Sequence, residues 1–487
     1  MSAVVDRCEL APGLTIARAL TGLWQIADME RDGRTIDLTA TARAMAPYVD
    51  AGFTTFDMAD HYGSAEVVSG IYRAQVAPGA DVQLFTKWVP KPGPVSRADV
   101  RAAVERALER LQGRTIDLMQ FHAWTFADPR WLDALFYLDE LRAEGLIRHL
   151  GLTNFDTAHL RICLASGIPI VSNQVSFSLV DRRAAGQMAA LCREHGVRIL
   201  AYGTVQGGFL SDRWLGKPEP DWEHLDTWSQ MKYGRFIRTA GGWEPFQRLL
   251  QALHGVATRH GVSIANVASR WVLEQPAVGG VIIGARLGAS AHVDDNLRLF
   301  SFALTAQDTA EIEAATSAMA MIPGDCGDEY RKPPYLTASG DLSHHLEDFP
   351  SPYLVKDGAD GRRICLSGTS WETKYGYSRA VRHGNRILVS GTTASHGDRL
   401  IGGTDAAAQA HFVIDKIEGA LRSLGARLDD VVRTRVFTSK LEHWEAIARA
   451  HGERFGAILP ANTLVRAELV GEEFLVEMEA EAVVGGG

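Results

Sequence analysis

The sequence predicts an α/β protein built on a parallel (β/α)8 TIM barrel, followed by a smaller α+β domain. Three observations carry this. Short apolar runs alternate with helix-like segments at about the spacing of a βα repeat, and polar residues capable of chemistry stand where those runs end. Beyond a proline-rich stretch, strands and helices follow one another in a different order. At 487 residues the chain is also too long for one ordinary core.

In chain order, strands are expected near 16–24, 54–58 (TTFDM), 83–87 (QLFTK), 116–122 (IDLMQFH), 149–153 (HLGLT), 170–175, 198–203 and 280–284. The segment SRADVRAAVERALERLQG shows what joins them. Ser96 and Asp99 form a capping-box pattern, Val100, Ala103, Val104, Ala107, Leu108 and Leu111 make an apolar stripe, and Gly113 stops it. Eight strands with helices between them imply a closed barrel. The rival open sheet with a dinucleotide fold is disfavoured, because no G-x-G-x-x-G follows the first strand.

Sixteen basic and sixteen acidic residues lie beyond residue 360, so the net charge of −9 falls on residues 1–360. Neither part has the basic surplus that phosphate backbones require, which argues against nucleic acid as a partner. The five cysteines (Cys8, Cys163, Cys192, Cys326, Cys365) form no C-x-x-C pair, so a reducing cytoplasm is expected rather than a disulfide framework or a zinc site. Neither a signal peptide nor an apolar run long enough to span a bilayer is read from the sequence.

The stretch GFTTFDMADHYGSAE delivers Asp57 to a strand end and Tyr62 to the loop beyond it. Lys87 in LFTKW and His122 in MQFHAW exit the next two strands, at spacings of 30 and 35 residues. A barrel of about 250 residues allots about 31 to each repeat, so the four converge on one rim. A free phenol has a pKa of about 10, so Tyr62 donates a proton near neutrality only if its anion is favoured. Lys87 would favour it, Asp57 would hold Lys87 charged, and His122 would hydrogen-bond the substrate oxygen. Such a group acts as a general acid toward a carbonyl receiving hydride.

On these residues, the chain from about 10 to 317 resembles the aldo-keto reductases, whose Asp-Tyr-Lys-His tetrad matches Asp57, Tyr62, Lys87 and His122. The resemblance implies that Thr153 and Asn154 in GLTNFD hold the nicotinamide amide, with Thr where the family usually has Ser. It assigns Gln174 in SNQVSF to the same amide and Tyr202 in LAYGTV to stacking on the nicotinamide ring. VIIGARLGASAHVDDN resembles the adenosine end, with Arg286 for a 2'-phosphate and Asn296 for adenine. A guanidinium pairs well with phosphate, so NADP(H) is the expected cofactor. A carbonyl, or an imine, is the expected substrate.

Trp24, Trp88 and Trp124 follow strands on the same rim and are expected in the substrate pocket. The long segment 207–246, with Trp214, Trp222, Trp228 and Trp243, suits a lid, although its aromatics could equally pack the loop down. Residues 318–360 carry five prolines between 323 and 352 and no sustained period, and read as a linker or a strap over the barrel. His344 and His345 lack a third ligand nearby and are read as solvent-facing, so no metal is expected.

From 361 onward, strand-like runs at 364–368, 377–382 and 386–391 precede a helix near 405–424, the strand VVRTRVF, a helix HWEAIARAHGERFG and strands at 463–469 and 474–483. GYSRAV, NRILVSGTTA, LDDVVRTRVF and LVEMEAEAV resemble the Rid (YjgF-like) family over 361–487, whose fold is chorismate-mutase-like. The resemblance implies a homotrimer with pockets between subunits, and hydrolysis of reactive enamines and imines. The family's carboxylate-gripping arginine is replaced by Asn462 in LPANTLVRAEL, and Arg466 stands about 13 Å further along the strand. Glu477 and Tyr377 match the family's acidic and aromatic pocket residues. Two expectations stay open: a two-site enzyme in which the second module handles a related labile intermediate, or a reductase whose second module is a non-catalytic trimerisation or ligand-binding device.

Overall fold

A computed structural model describes residues 4–30, 33–289, 292–332 and 349–485. Eight parallel strands close into a barrel: β3 (Ala19–Gly22), β4 (Thr55–Asp57), β5 (Gln83–Trp88), β6 (Ile116–Phe121), β7 (Ile147–Thr153), β8 (Ile170–Ser176), β9 (Arg198–Tyr202) and β10 (Val278–Gly284), which returns to pair with β3. Each expected strand is present, but the run 16–24 divides at Arg18. Its first part is β2 (Leu14–Ala17), which turns through Gly13 to pair antiparallel with β1 (Arg7–Ala11). This hairpin is a plug: Leu10, Leu14 and Ile16 pack against Leu20, Phe85, Leu118 and Leu200 inside the barrel. Arg18 fixes the division by donating to the carbonyls of Leu273, Val278 and Gly279.

The helix Arg97–Arg110 carries the expected capping box, with Ser96 and Asp99 exchanging bonds. It ends before Gly113, because Gln112 already takes the left-handed conformation at φ 48°.

The second sheet is ordered β11-β12-β13-β14-β19-β17-β18. Its strands are β11 (Leu354–Asp357), β12 (Arg362–Leu366), β13 (Ala380–His383), β14 (Arg386–Thr393), β17 (Val431–Thr438), β18 (Ala461–Arg466) and β19 (Val476–Val483), with a two-residue hairpin β15 (Ser395–His396) and β16 (Arg399–Leu400) beside it. Strand β11 lies within the stretch expected as a linker or strap and pairs antiparallel with β12.

The helix Ala406–Ser423 is buried on nearly every side. One face lies on its own sheet and the other on the barrel helix Thr157–Ala165. An all-round buried helix must present small residues where backbones approach. Here Gly419 does so, since a Cβ there would stand 2.2 Å from the carbonyl of Ala127. The seam also carries charge. His159 bonds Asp156 at 2.6 Å and Asp415 at 2.9 Å, all three buried, and the partly buried Arg454 bonds Asp415 at 2.5 Å.

Candidate active site

Strand ends deliver the polar residues as the period of two requires. Lys87 points into the barrel mouth, where its Nζ donates to Asp57 Oδ2 at 2.6 Å and to the carbonyl of Met58 at 2.9 Å. It lies 4.8 Å from the centre of the Tyr62 ring. Asp57 Oδ1 accepts from Gln120 Nε2 at 3.0 Å and Gln174 Nε2 at 2.7 Å, so both its oxygens are engaged. Burial pushes the Lys87 ammonium below its ordinary pKa against the pull of Asp57.

His122 Nδ1 lies 3.3 Å from the carbonyl of Thr153, and a carbonyl only accepts, so Nδ1 carries the hydrogen. Burial, and then the charge of Arg331, hold the ring well below its usual pKa, so it is neutral at pH 7. Its buried Nε2 has no hydrogen-bond partner among the described residues and, with the ring, borders the cavity.

That cavity encloses about 1130 Å³ of empty space including its mouth, and is lined by Trp24, Asp57, Tyr62, Lys87, His122 and Trp124. The same cavity is lined by Thr153, Asn154, Gln174, Tyr202 and the bare backbone of Gly203, Gly207 and Gly284. The tetrad and four of the six expected cofactor residues are therefore brought together. Those residues, with an unpartnered imidazole nitrogen facing them, fit the nicotinamide half of a dinucleotide. Gln174 lines the cavity although its amide nitrogen is committed to Asp57 and Gln120.

The two remaining cofactor candidates do not line the cavity. Arg286 is half exposed and donates to Asp28 at 3.0 Å. Asn296 sits within the helix Val293–Arg298. Trp24 packs edge-on against Tyr62 at 4.9 Å and Trp124 against His122 at 4.5 Å. Trp88 is a correction: with Lys87 pointing inward, the next residue points out, and Trp88 is buried against Phe121 away from the cavity. In the segment 207–246, Trp214, Trp222 and Trp243 pack around Phe209, and of its four tryptophans Trp228 alone lines the cavity, 5.7 Å from Trp24.

Sequence reading missed the strap residues. Glu329, Tyr330 and Arg331, in the stretch expected as a linker or strap, come down on the barrel mouth. Tyr330 lines the cavity beside His122 and is hydrogen-bonded by Lys232 of the helix Trp228–Thr239. The Tyr202 hydroxyl lies 2.7 Å from Asn154 Oδ1 and 3.2 Å from Glu329 Oε1, and Glu329 is paired with Arg183 at 2.8 Å. Burial raises Tyr202 well above a phenol's usual pKa, so it stays neutral. The only signal in the sequence was two charged residues flanking a tyrosine in an otherwise irregular segment. Gln120 could have been found: it alternates inward with Leu118 and His122.

The strap turns at Gly327, with φ 80°, where a Cβ would stand 2.0 Å from the carbonyl of Asn154. Gly327→Ala is therefore expected to cost about 1–3 kcal/mol, read as a lowered melting temperature.

In the second module the four expected pocket residues are not brought together within one chain. Asn462 pairs in register with Thr434 and Arg466 with Thr438, both buried on the helix-covered face. Asn462 Nδ2 donates to Thr434 Oγ1 at 2.9 Å. Glu477 pairs with Phe437 on the opposite face. Its carboxyl is raised by burial and by Glu479, against Arg379. Tyr377 is 40% exposed.

No group of three or more His, Cys, Asp or Glu among the described residues is arranged to hold a metal ion, and His344 and His345 lie outside those residues. Among the described residues no helix is long and apolar enough to cross a membrane.

A parallel barrel with a buried Lys-Asp pair, a phenol and a neutral imidazole at its mouth defines an oxidoreductase-type barrel. The family model of the aldo/keto reductases matches residues 20–317, and the chain belongs to that family. A second model, described as endoribonuclease L-PSP and covering the Rid proteins, matches residues 368–484. Flagellar radial spoke protein 5 of Chlamydomonas reinhardtii is 28% identical over 49% of this chain, which spans only 57% of that protein. The human aflatoxin B1 aldehyde reductase member 2 is 25% identical over 61% of this chain and 87% of its own. An uncharacterized protein of Streptomyces coelicolor is 36% identical over 26% of this chain and 92% of its own. The glycerol dehydrogenase structure from Gluconobacter oxydans shares the fold at TM-score 0.54 and 22% identity, covering 67% of this chain and 98% of that one.

Proposed function

We propose that the barrel reduces a carbonyl, or an imine, using NADPH. The observation that carries this is the Lys87–Asp57 pair beside Tyr62, facing the same cavity as Asn154, Tyr202 and the unpartnered Nε2 of His122. The bound cofactor supplies the hydride. Tyr62 delivers the proton to the substrate oxygen, Lys87 stabilises the phenolate left behind, and Asp57 keeps Lys87 charged. With the hydrogen on Nδ1, as its contact with the Thr153 carbonyl requires, Nε2 of His122 accepts, which suits the hydroxyl of the alcohol or the N–H of an imine. Tyr202 offers the nicotinamide a ring face, with Thr153, Asn154 and Gln174 around its amide. Arg286 would exchange Asp28 for the 2'-phosphate of NADPH, and Asn296 would reach adenine.

The test is loss of reduced-nicotinamide absorbance by the full-length chain with aldehydes, ketones and cyclic imines, with NADPH and NADH in parallel. Many turnovers, faster with NADPH, are expected; turnover faster with NADH would sink the Arg286 assignment alone, and turnover with neither would sink the reductase reading.

For the second module, the non-catalytic assembly reading is favoured over chemistry on an enamine or imine. Asn462 is held by Thr434 on the face opposite Glu477, so no carboxylate clamp forms in the chain. The barrel covers the helix layer through the helix Ala406–Ser423 and leaves the other sheet face, with Leu388 half exposed, for two further copies. Light scattering should give three times the chain mass of 53.1 kDa; a monomer would refute this reading. The five free thiols fit a cytoplasmic setting.

A further inference from the structure

The barrel's own strands place the tetrad, but two of its loop ends are held from outside. Arg331 is partly buried. It donates to the carbonyl of Ala123 at 2.6 Å through Nη2 and to that of Asn154 at 2.7 Å through Nη1. Ala123 follows His122, and Asn154 is a non-glycine residue at φ 59°, a conformation that persists only when its surroundings hold it. One planar fork thus spans the exits of β6 and β7. Asp325 of the same strap accepts from the amide of Thr157 at 2.8 Å, at the start of the helix after β7. The ring of Phe126 takes the Arg331 guanidinium at 4.3 Å and the His159 imidazole at 3.4 Å, which ties the fork to the seam with the second module.

We propose that Arg331 is a positioning residue of the reductase site, setting His122 and Asn154 through the carbonyls of Ala123 and Asn154, so that the barrel alone is an incomplete enzyme. This rests on the reductase reading above. Lysine cannot replace the fork, because a single ammonium is a point donor where two divergent carbonyls need a plane. The charged and titratable groups around His122 are Arg331 from the strap, His61 from the loop after β4, Lys232 and Tyr330 above it, and Tyr62 and Lys87 across the cavity. Removing the Arg331 charge therefore also lets His122 titrate at higher pH, whereas lysine at that position keeps the charge.

The experiment compares full-length wild type, Arg331→Met and Arg331→Lys by NADPH titration of tryptophan fluorescence, by kcat and KM with an aldehyde the wild type reduces, by pH profile, and by melting temperature. Both variants should lose about 100-fold in kcat/KM, with weaker NADPH binding. Only Arg331→Met should move the limb reporting His122 to higher pH, and ethylguanidinium should restore part of its rate alone. If Arg331→Met does not fold, Arg331→Lys decides through its rate and its NADPH affinity. A folded Arg331→Lys with wild-type kcat/KM and NADPH affinity would overturn the proposal, as would a folded Arg331→Met with an unmoved pH limb. If the wild type reduces no carbonyl, the reductase reading fails, and NADPH affinity, lowered in both variants or unchanged, still judges the positioning role.

Discussion

Replacing Tyr62 by Phe should lower kcat by about 100- to 10,000-fold, the usual contribution of a placed general acid. The ring is retained, so its edge contact with Trp24 at 4.9 Å and its place beside Lys87 survive. NADPH affinity should then stay within about twofold, since the phenol oxygen acts on the substrate and not on the cofactor. Kinetics with one aldehyde, alongside fluorescence titration of NADPH, separates the two effects. A variant that keeps wild-type kcat would remove Tyr62 from the chemistry.

Replacing Asp415 by Ala should destabilise the chain by about 1–3 kcal/mol, because it removes a charge-assisted hydrogen bond from each of His159 and Arg454 and leaves them only Asp156 and Glu418 as partners. The pH dependence has a definite sign. Burial alone would push His159 down, but Asp156 and Asp415 outweigh it, and its pKa ends above the ordinary value. A raised folded-state pKa contributes stability that is complete below about pH 6.5 and lost as pH rises through the folded value. Asp415 is depressed despite burial by His159 and Arg454, so its contribution is lost only as pH falls through its own lowered pKa. The seam is thus strongest between those limits. Melting temperatures of the wild type should fall on the alkaline side, and Asp415→Asn should flatten that dependence; equal slopes in both would exclude the His159 network as its source.

The convergence of Asp57, Tyr62, Lys87 and His122 on one rim was legible because barrel strands impose a repeat length, and a charged residue at the end of an apolar run has few other places to go. The same alternation should have excluded Trp88, since adjacent strand residues face opposite ways. Arg286 was readable as a cation near the end of β10, but its partner Asp28 is 258 residues away, beyond any local pattern. Arg331 and Glu329 were illegible for a different reason. They lie in an irregular segment with no period, and their roles depend on backbone carbonyls and on Tyr202, which no side-chain pattern announces. The helix near 405–424 was legible as an element, whereas its buried face carrying Asp415 and Gly419, which meets the barrel, was not. Register decided the second module: Asn462 and Glu477 belong to neighbouring motifs, yet their pairing partners, Thr434 and Phe437, lie on opposite faces of one strand.

The central claim is hydride transfer to a carbonyl within the barrel. Its most direct test supplies the full-length chain with NADPH carrying deuterium at the transferable position and weighs the alcohol formed. One deuterium per product molecule is predicted; cofactor consumed without deuterium reaching the product would contradict the account.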